Sequence, residues 1–136
     1  MQSWGGSYTR YADDLALSST RGWGARSARL VEAVGQVVHE EGFRLNAGKT
    51  VVLPASGRQR LGGLVVNERP HVSRAEVDRL RAIVHNCVVR GPSAQNRAGH
   101  PDFRAHLMGR IGWVAQHDPG RGARLRVELA RVDWDR

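Results

Sequence analysis

Hydrophobic and polar positions follow a strand-like pattern near the start of the chain and a helical pattern further along. Short runs rich in aromatic, aliphatic and threonine residues at 8–11 and 15–19 flank two acidic residues, a pattern typical of a β-hairpin. Helix-spaced apolar positions follow at 27–41, and a capping box at 73–76 begins another helical stripe. We therefore expect an α+β protein.

In the first part, the helix at 27–41 should be followed by short strands. Gly42 favours the end of that helix. The pattern then predicts strands at 43–45 and 50–53, separated by a turn at 46–48, and a hairpin or edge strand at 58–67. The apolar face of the helix consists of Leu30, Val31, Val34, Val37 and Val38.

The second part should be a small helical bundle, joined to the strands by a linker at 68–70. One helix runs from the capping box to about Val89, and its apolar stripe begins at Val77 and Leu80. Two more are predicted at 101–116 and 122–131. On the 101–116 helix the inward positions are Phe103, Leu107, Ile111 and Val114, and Trp113 is assigned to the core.

The net charge narrows the choice of partner. The 136 residues include 21 Lys+Arg against 13 Asp+Glu, a formal net charge of +8, and the isoelectric point is near 11.3. Most of this excess lies after Gly57, and a polyanion such as nucleic acid is the partner it favours. Only Lys49 is lysine, a bias to which GC-rich coding also contributes.

Cysteine usage and hydropathy indicate the compartment. Cys87 is the only cysteine, which excludes an intramolecular disulfide framework and a zinc site built on cysteines. No apolar run is long enough to span a bilayer, and no secretion signal follows Met1. We expect a soluble cytoplasmic protein without a membrane partner.

The candidate chemistry lies in Tyr11-Ala12-Asp13-Asp14, at the tip of the predicted hairpin. Adjacent carboxylates repel each other, so a site that keeps both ionised usually supplies a hard cation such as Mg²⁺. An ordinary Asp-Asp turn is the alternative, and the spacing alone does not reject it.

The segment 8–18 resembles the catalytic hairpin of reverse transcriptases, with its Tyr-x-Asp-Asp box, and is most similar to the retron-type and group II intron-type enzymes of bacteria. The resemblance continues in family order. Segment 42–50 looks like the next palm block, 61–67 like the primer grip and 103–114 like the thumb. Together these blocks cover nearly all of 8–134.

This resemblance implies an RNA-directed DNA polymerase, with a partial palm at 1–69 (antiparallel hairpin, helix and strands) and an α-helical thumb at 70–136. It implies two Mg²⁺ ions, which activate the primer 3′-hydroxyl and steady the departing pyrophosphate. Asp13 is then the shared metal ligand, and Asp14 supports it or binds through water. The implied partners are an RNA template and a DNA primer, with either a noncoding RNA or an N-terminal fingers/palm polypeptide as a further partner.

Further roles follow from the resemblance, each with a plainer alternative. Lys49 would contact triphosphate or protonate pyrophosphate, or would be a solvated turn lysine. Tyr11 would lie against the primer or template backbone, or would be a packing residue. Gly62 and Gly63 would let the backbone approach the primer strand, or would form a bulge or tight turn.

The thumb arginines are the expected contacts to template–primer phosphates, with ordinary surface arginines as the alternative. They are Arg104, Arg110, Arg121 and Arg124.

A complete reverse transcriptase also has a fingers region and earlier palm blocks, one of which supplies a third carboxylate. These do not precede Tyr8, so we expect the isolated chain to be inactive as a polymerase. It would be the C-terminal remnant of a disrupted gene or of one read from a misplaced start, one half of an enzyme that is completed by an N-terminal fingers/palm polypeptide, or a noncatalytic nucleic-acid-binding module. Retron, intron and defence systems all stay open as its origin.

Overall fold

An antiparallel hairpin is the first element of the computed structural model, which describes residues 5–135. Its strands are β1 (Ser7–Tyr11) and β2 (Asp14–Ser18), paired so that Tyr11 lies opposite Asp14 and Ser7 opposite Ser18. The predicted hairpin is confirmed, with Asp13 in the turn and Asp14 as the first residue of β2.

Helix α1 (Ser27–Glu40) follows a short 3-10 turn at Gly24–Arg26. It ends as predicted, where Gly42 adopts a φ of 81° and its N–H donates to the carbonyl of His39 at 2.9 Å. None of its residues is buried, and Val37 on its apolar face is 58% exposed. The apolar face is therefore only partly covered within the unit that the helix belongs to, where Leu30, Val31, Val34 and Val38 are half-buried.

The strands predicted at 43–45 and 50–53 are wrong. Both segments are irregular, and Phe43 and Val51 are 71% and 69% exposed. A strand is stable only when a neighbouring strand completes its hydrogen-bond ladder, and the described residues pair no strand with either segment.

A three-stranded antiparallel sheet begins the second half of the fold. It consists of β3 (Arg60–Leu61), β4 (Leu64–Val65) and β5 (His71–Val72), in the order β3-β4-β5. The first two strands confirm the hairpin expected at 58–67. The third was not predicted, because two residues are too few for a readable strand pattern.

Three helices complete the fold, and each begins at a side-chain cap. They are α2 (Arg74–Arg90), α3 (Phe103–His117) and α4 (Pro119–Leu129). Ser73 Oγ accepts from the Glu76 N–H at 3.3 Å, which confirms that half of the predicted capping box. Asp102 and Asp118 cap α3 and α4 in the same way, at 2.8 and 2.9 Å.

The core lies among these three helices and β5. Its α3 members include Leu107, Ile111 and Val114, with Phe103 packed against them, as the periodicity predicts. Trp113 was wrongly assigned to the core: it is 42% exposed, with its ring edge-on to His117 at 4.7 Å between centroids. The buried residues are Val72, Val77, Leu80, Val84, Cys87, Leu107, Ile111, Val114, Leu125, Leu129 and Val132.

Helices α3 and α4 cross closely at Gly122. A Cβ built on Gly122 would lie 2.6 Å from Ala115 Cα and 3.2 Å from Ala115 N. Only glycine allows the two backbones to approach this far. The crossing fixes α4, and with it the arginines on its first turns, against the rest of the bundle.

The chain forms two compact units that divide between Arg58 and Gln59. The α+β class is confirmed. The assignment of 1–69 to a palm and 70–136 to a thumb concerns function, and it stays a prediction. No helix in residues 5–135 is long and apolar enough to cross a membrane.

Candidate functional site

The hairpin tip presents the acidic pair on a two-residue turn. Because Tyr11 pairs with Asp14, only Ala12 and Asp13 connect the strands. Ala12 has a φ of 51°, a conformation that costs a residue with a Cβ about 1–2 kcal/mol. The Arg10 Nε–H donates to the carbonyl of Ala12 at 2.7 Å and closes the turn. Backbone strain thus occurs beside the predicted catalytic carboxylates.

The residues of the tip are open to solvent. Asp13 and Asp14 are exposed, and Tyr11 is 84% exposed. Opposite residues of an antiparallel pair share a face, so Tyr11 and Asp14 lie side by side while Asp13 lies in the turn. The structure therefore supports the tip as a surface for a ligand and gives no packing role to Tyr11 among the described residues.

The donor set suits Mg²⁺, which proteins commonly bind through one or two carboxylates completed by water and substrate phosphates. Asp13 and Asp14 supply two such carboxylates from adjacent positions. Residues 5–135 contain no group of three histidine, cysteine or acidic side chains placed to hold a metal ion. The hairpin thus fits part of a magnesium site, and phosphate or further carboxylate oxygens would have to complete it.

Lys49 lies on a turn that Asn46 organises. Asn46 Oδ1 accepts from the Gly48 N–H, and its carbonyl accepts from the N–H of Lys49 and from Thr50, all at 3.0 Å. The lysine itself is exposed. An ordered turn therefore presents an accessible cation, and its predicted contact with triphosphate stays a prediction.

Gly62 and Gly63 form the tight turn between β3 and β4. Their φ angles are 55° and 82°, and two successive positive values are the pattern of a type I′ hairpin. No atom lies within 4 Å of a Cβ built on either residue. The alternative of a tight turn is therefore what the structure shows, and the turn leaves the backbone open to a ligand.

Two of the four thumb arginines predicted to contact template–primer phosphates, Arg104 and Arg110, lie on α3 and have protein partners. The Arg104 guanidinium lies 5.8 Å from the centroid of the Trp134 ring. Arg110 forms an ion pair with Glu76 of α2 and is 27% exposed. Arg110 therefore links two helices, and its contact with nucleic acid stays a prediction.

The other two predicted arginines, Arg121 and Arg124, lie on α4, within a concentration of arginines between α2 and α4 that the sequence did not predict. Arg74 and Arg81 of α2 face Arg121 and Arg124 of α4. A helical projection would have placed the two α2 arginines on one face, two turns apart, but their meeting with α4 depends on tertiary packing.

Two titratable groups of the second unit have shifted pKa values. Burial raises the pKa of the Cys87 thiol. Burial also lowers the pKa of His106, and the neighbouring charges of His100 and Arg110 lower it further. The His100 and His106 rings stack at 3.8 Å between centroids, which brings the two side chains into direct contact.

Comparison with known proteins finds relatives that match most of the chain. Retron Mx65 reverse transcriptase of Myxococcus xanthus is 37% identical over 122 residues, which cover 90% of this chain and 26% of that protein. The chain is homologous to retron reverse transcriptases. Retron Mx162 reverse transcriptase of the same organism is 34% identical over 143 residues, covering 95% of the chain and 28% of its own length. No family profile and no solved structure matches.

The more distant Retron Ec86 reverse transcriptase of Escherichia coli is 25% identical over 127 residues, covering 93% of the chain and 36% of that protein. The chain thus spans about a quarter to a third of the length of the retron reverse transcriptases it matches. The predicted resemblance over nearly the whole chain is confirmed, and all three relatives named here are retron enzymes.

Proposed function

We propose that this chain supplies the carboxylate hairpin and a nucleic-acid-binding helical unit of an RNA-directed DNA polymerase. The observation that carries the proposal is the exposed tip at Tyr11-Ala12-Asp13-Asp14, with its strained turn, in a chain homologous to retron reverse transcriptases. Strained backbone that brings functional groups into the open is typical of active sites.

Three residues of the hairpin, together with Lys49, would each have a separate role in the reaction. Asp13 binds the metal that serves primer and nucleotide, while Asp14 supports it from the first position of β2. Tyr11, beside Asp14, rests against the primer or template backbone, and Lys49 neutralises phosphate charge. Magnesium bound at the hairpin would acidify the primer 3′-hydroxyl and stabilise the charge on the pyrophosphate.

The first unit supports a requirement for more polypeptide. No residue from Gly5 to Arg58 is buried, and Phe43, Val51 and Val37 are more than half exposed. Apolar surface of this extent normally lies under another part of a fold or a partner. We infer that further palm and fingers polypeptide covers it and supplies the third carboxylate.

A chimera tests this proposal. The matching segment of Retron Mx65 reverse transcriptase would be replaced by this chain, and primer extension on an RNA template would be measured with Mg²⁺. The proposal expects extension by the chimera and none by the isolated chain. A chimera that folds and binds the template–primer but adds no nucleotide would contradict it.

A noncatalytic nucleic-acid-binding module is the second candidate, favoured by the net charge of +8 and by the arginines between α2 and α4. It expects salt-sensitive binding of RNA or DNA by the isolated chain, and a chimera without activity. The extension assay therefore separates the two candidates.

A further inference from the structure

A groove between α2 and α4 concentrates positive charge in the second unit. It measures ≈ 340 Å³. Four arginines and one aspartate give its lining a formal net charge of +3. The residues that line this arginine groove are Arg74, Val77, Asp78, Arg81, Arg121 and Arg124.

The positive charge is confined to one end of the interface between the two helices. Further along, Glu128 of α4 and His85 of α2 face each other, with 3.1 Å between Nδ1 and Oε1. Early residues of α2 thus meet early residues of α4, and later residues meet later ones, so the helices run side by side in the same direction. Both positive helix-dipole ends therefore lie near the arginine groove.

Internal carboxylates neutralise only part of this charge. Arg74 lies 3.6 Å from Asp78, and Arg121 lies 3.1 Å from Asp118; all four side chains are substantially exposed, so these pairs are weak. The other two arginines of the groove form no ion pair with any described residue. Guanidinium groups gathered in this way repel one another unless an anion lies between them, and their planar forks suit phosphate oxygens.

We propose that the arginine groove binds the phosphate backbone of a nucleic acid, with Arg81 and Arg124 as its principal contacts. The inference rests on the proposed function, which makes nucleic acid the source of the phosphates. It keeps Arg124 from the arginines expected on the sequence, adds Arg81 of α2, and leaves out Arg104 and Arg110, which are engaged with Trp134 and Glu76. Because the charge is local, the groove holds one or two phosphates and reads no sequence.

The test compares two double variants of the full chain. R81Q/R124Q removes the groove contacts, and R79Q/R126Q removes the same charge from exposed arginines of the same helices that do not line the groove. Fluorescence anisotropy would give the affinity of each for a labelled RNA–DNA hybrid duplex over a range of KCl concentrations. Circular dichroism would check that both variants stay folded, as the exposure of all four side chains leads us to expect.

The slope of log affinity against log salt concentration reports the number of phosphate contacts, at about 0.9 per contact in duplex DNA. We expect R81Q/R124Q to flatten the slope by about 1 if the two arginines share a phosphate and by about 2 if each holds its own. The control should change it by less than half as much. Equal flattening by both variants would overturn the assignment, because the lost affinity would then follow net charge alone.

A small phosphate ligand is the other source of the same chemistry. Calorimetry with inorganic pyrophosphate tests it directly. The proposal would be overturned in favour of a small-molecule site if two results occurred together: R81Q/R124Q abolishes pyrophosphate binding, and it leaves the salt slope for duplex binding unchanged.

Failure here is distinguishable from failure of the proposed function. If the chimera has no polymerase activity, the proposed function fails, but R81Q/R124Q can still flatten the salt slope more than R79Q/R126Q does. If the chimera is active and both variants flatten the slope equally, only the assignment of the arginine groove fails.

Discussion

Replacing Gly122 by alanine tests the packing that holds α4 in place. The new Cβ would meet Ala115 Cβ and would lie 2.6 Å from Ala115 Cα. Because a backbone atom is involved, no rotamer change relieves the contact, and the cost lies toward the upper end of the roughly 1–3 kcal/mol typical of overpacking. Alanine recovers about 1 kcal/mol of helix propensity. The net expectation is a loss of about 2 kcal/mol in the free energy of unfolding.

Urea denaturation followed by circular dichroism measures this loss. With a slope of roughly 2 kcal/mol per molar urea, the midpoint should fall by about 1 M. Gly109→Ala on α3 is the matched control, because no atom lies within 4 Å of its added Cβ. It should raise stability by about 0.5–1 kcal/mol. If Gly122→Ala stabilises the protein as Gly109→Ala does, α3 and α4 do not cross at Gly122.

Three further predictions concern the turn, the ion pair and the histidine pair. Ala12→Gly removes about 1 kcal/mol of backbone strain, so the hairpin amides should exchange more slowly with deuterium; faster exchange would contradict the positive φ of Ala12. A double-mutant cycle of Glu76→Gln and Arg110→Ala should give a coupling energy of about 0.5–1 kcal/mol in urea denaturation, and a coupling of zero would show that the pair does not link α2 and α3. The pKa of His106 is lowered in the folded protein, so the unfolded state binds more protons once the pH falls below about 6.5. The free energy of unfolding should therefore decrease as the pH falls from about 6.5, until the pH passes the pKa of His106 in the folded protein. His106→Gln should flatten this decline in thermal melts, and an unchanged pH profile would contradict the shift.

The helical unit could be predicted from the sequence because its stabilising contacts lie within the same stretch of chain. The spacing of Leu107, Ile111 and Val114 defines a face, and α2 and α4 supply the residues that cover it. Trp113 was misassigned because it is hydrophobic and lies next to Val114 and two positions from Ile111, while the helix turns it toward solvent.

The strands at 43–45 and 50–53 could not be predicted reliably, since a strand depends on its neighbours as much as on its own residues. Val51 and Val52 have the β-branched side chains of a strand, but no described strand pairs with them. The same argument supports the proposal that more polypeptide completes this unit.

The acidic pair was predictable from the sequence because its motif is local and its hairpin needs only adjacent residues. The strain at Ala12 was not, since nothing in the residue type requires a positive φ. The arginine groove was beyond sequence reasoning for a different reason. Arg81 and Arg124 lie on helices separated by the whole of α3, and only the packing of α4 beside α2 brings them to one groove.

Single-nucleotide addition by the chimera tests the central claim most directly, namely that this hairpin carries metal-binding catalytic carboxylates. The rate on an RNA template with Mg²⁺ would be compared between Asp13→Asn and the control Asp135→Asn, which makes the same change at an exposed aspartate of the second unit. We expect Asp13→Asn to lower the rate by at least about 10²-fold, as loss of direct transition-state stabilisation does, with template–primer affinity retained. Asp135→Asn should leave the rate unchanged. Equal rates for Asp13→Asn and the unmodified chimera would contradict the claim.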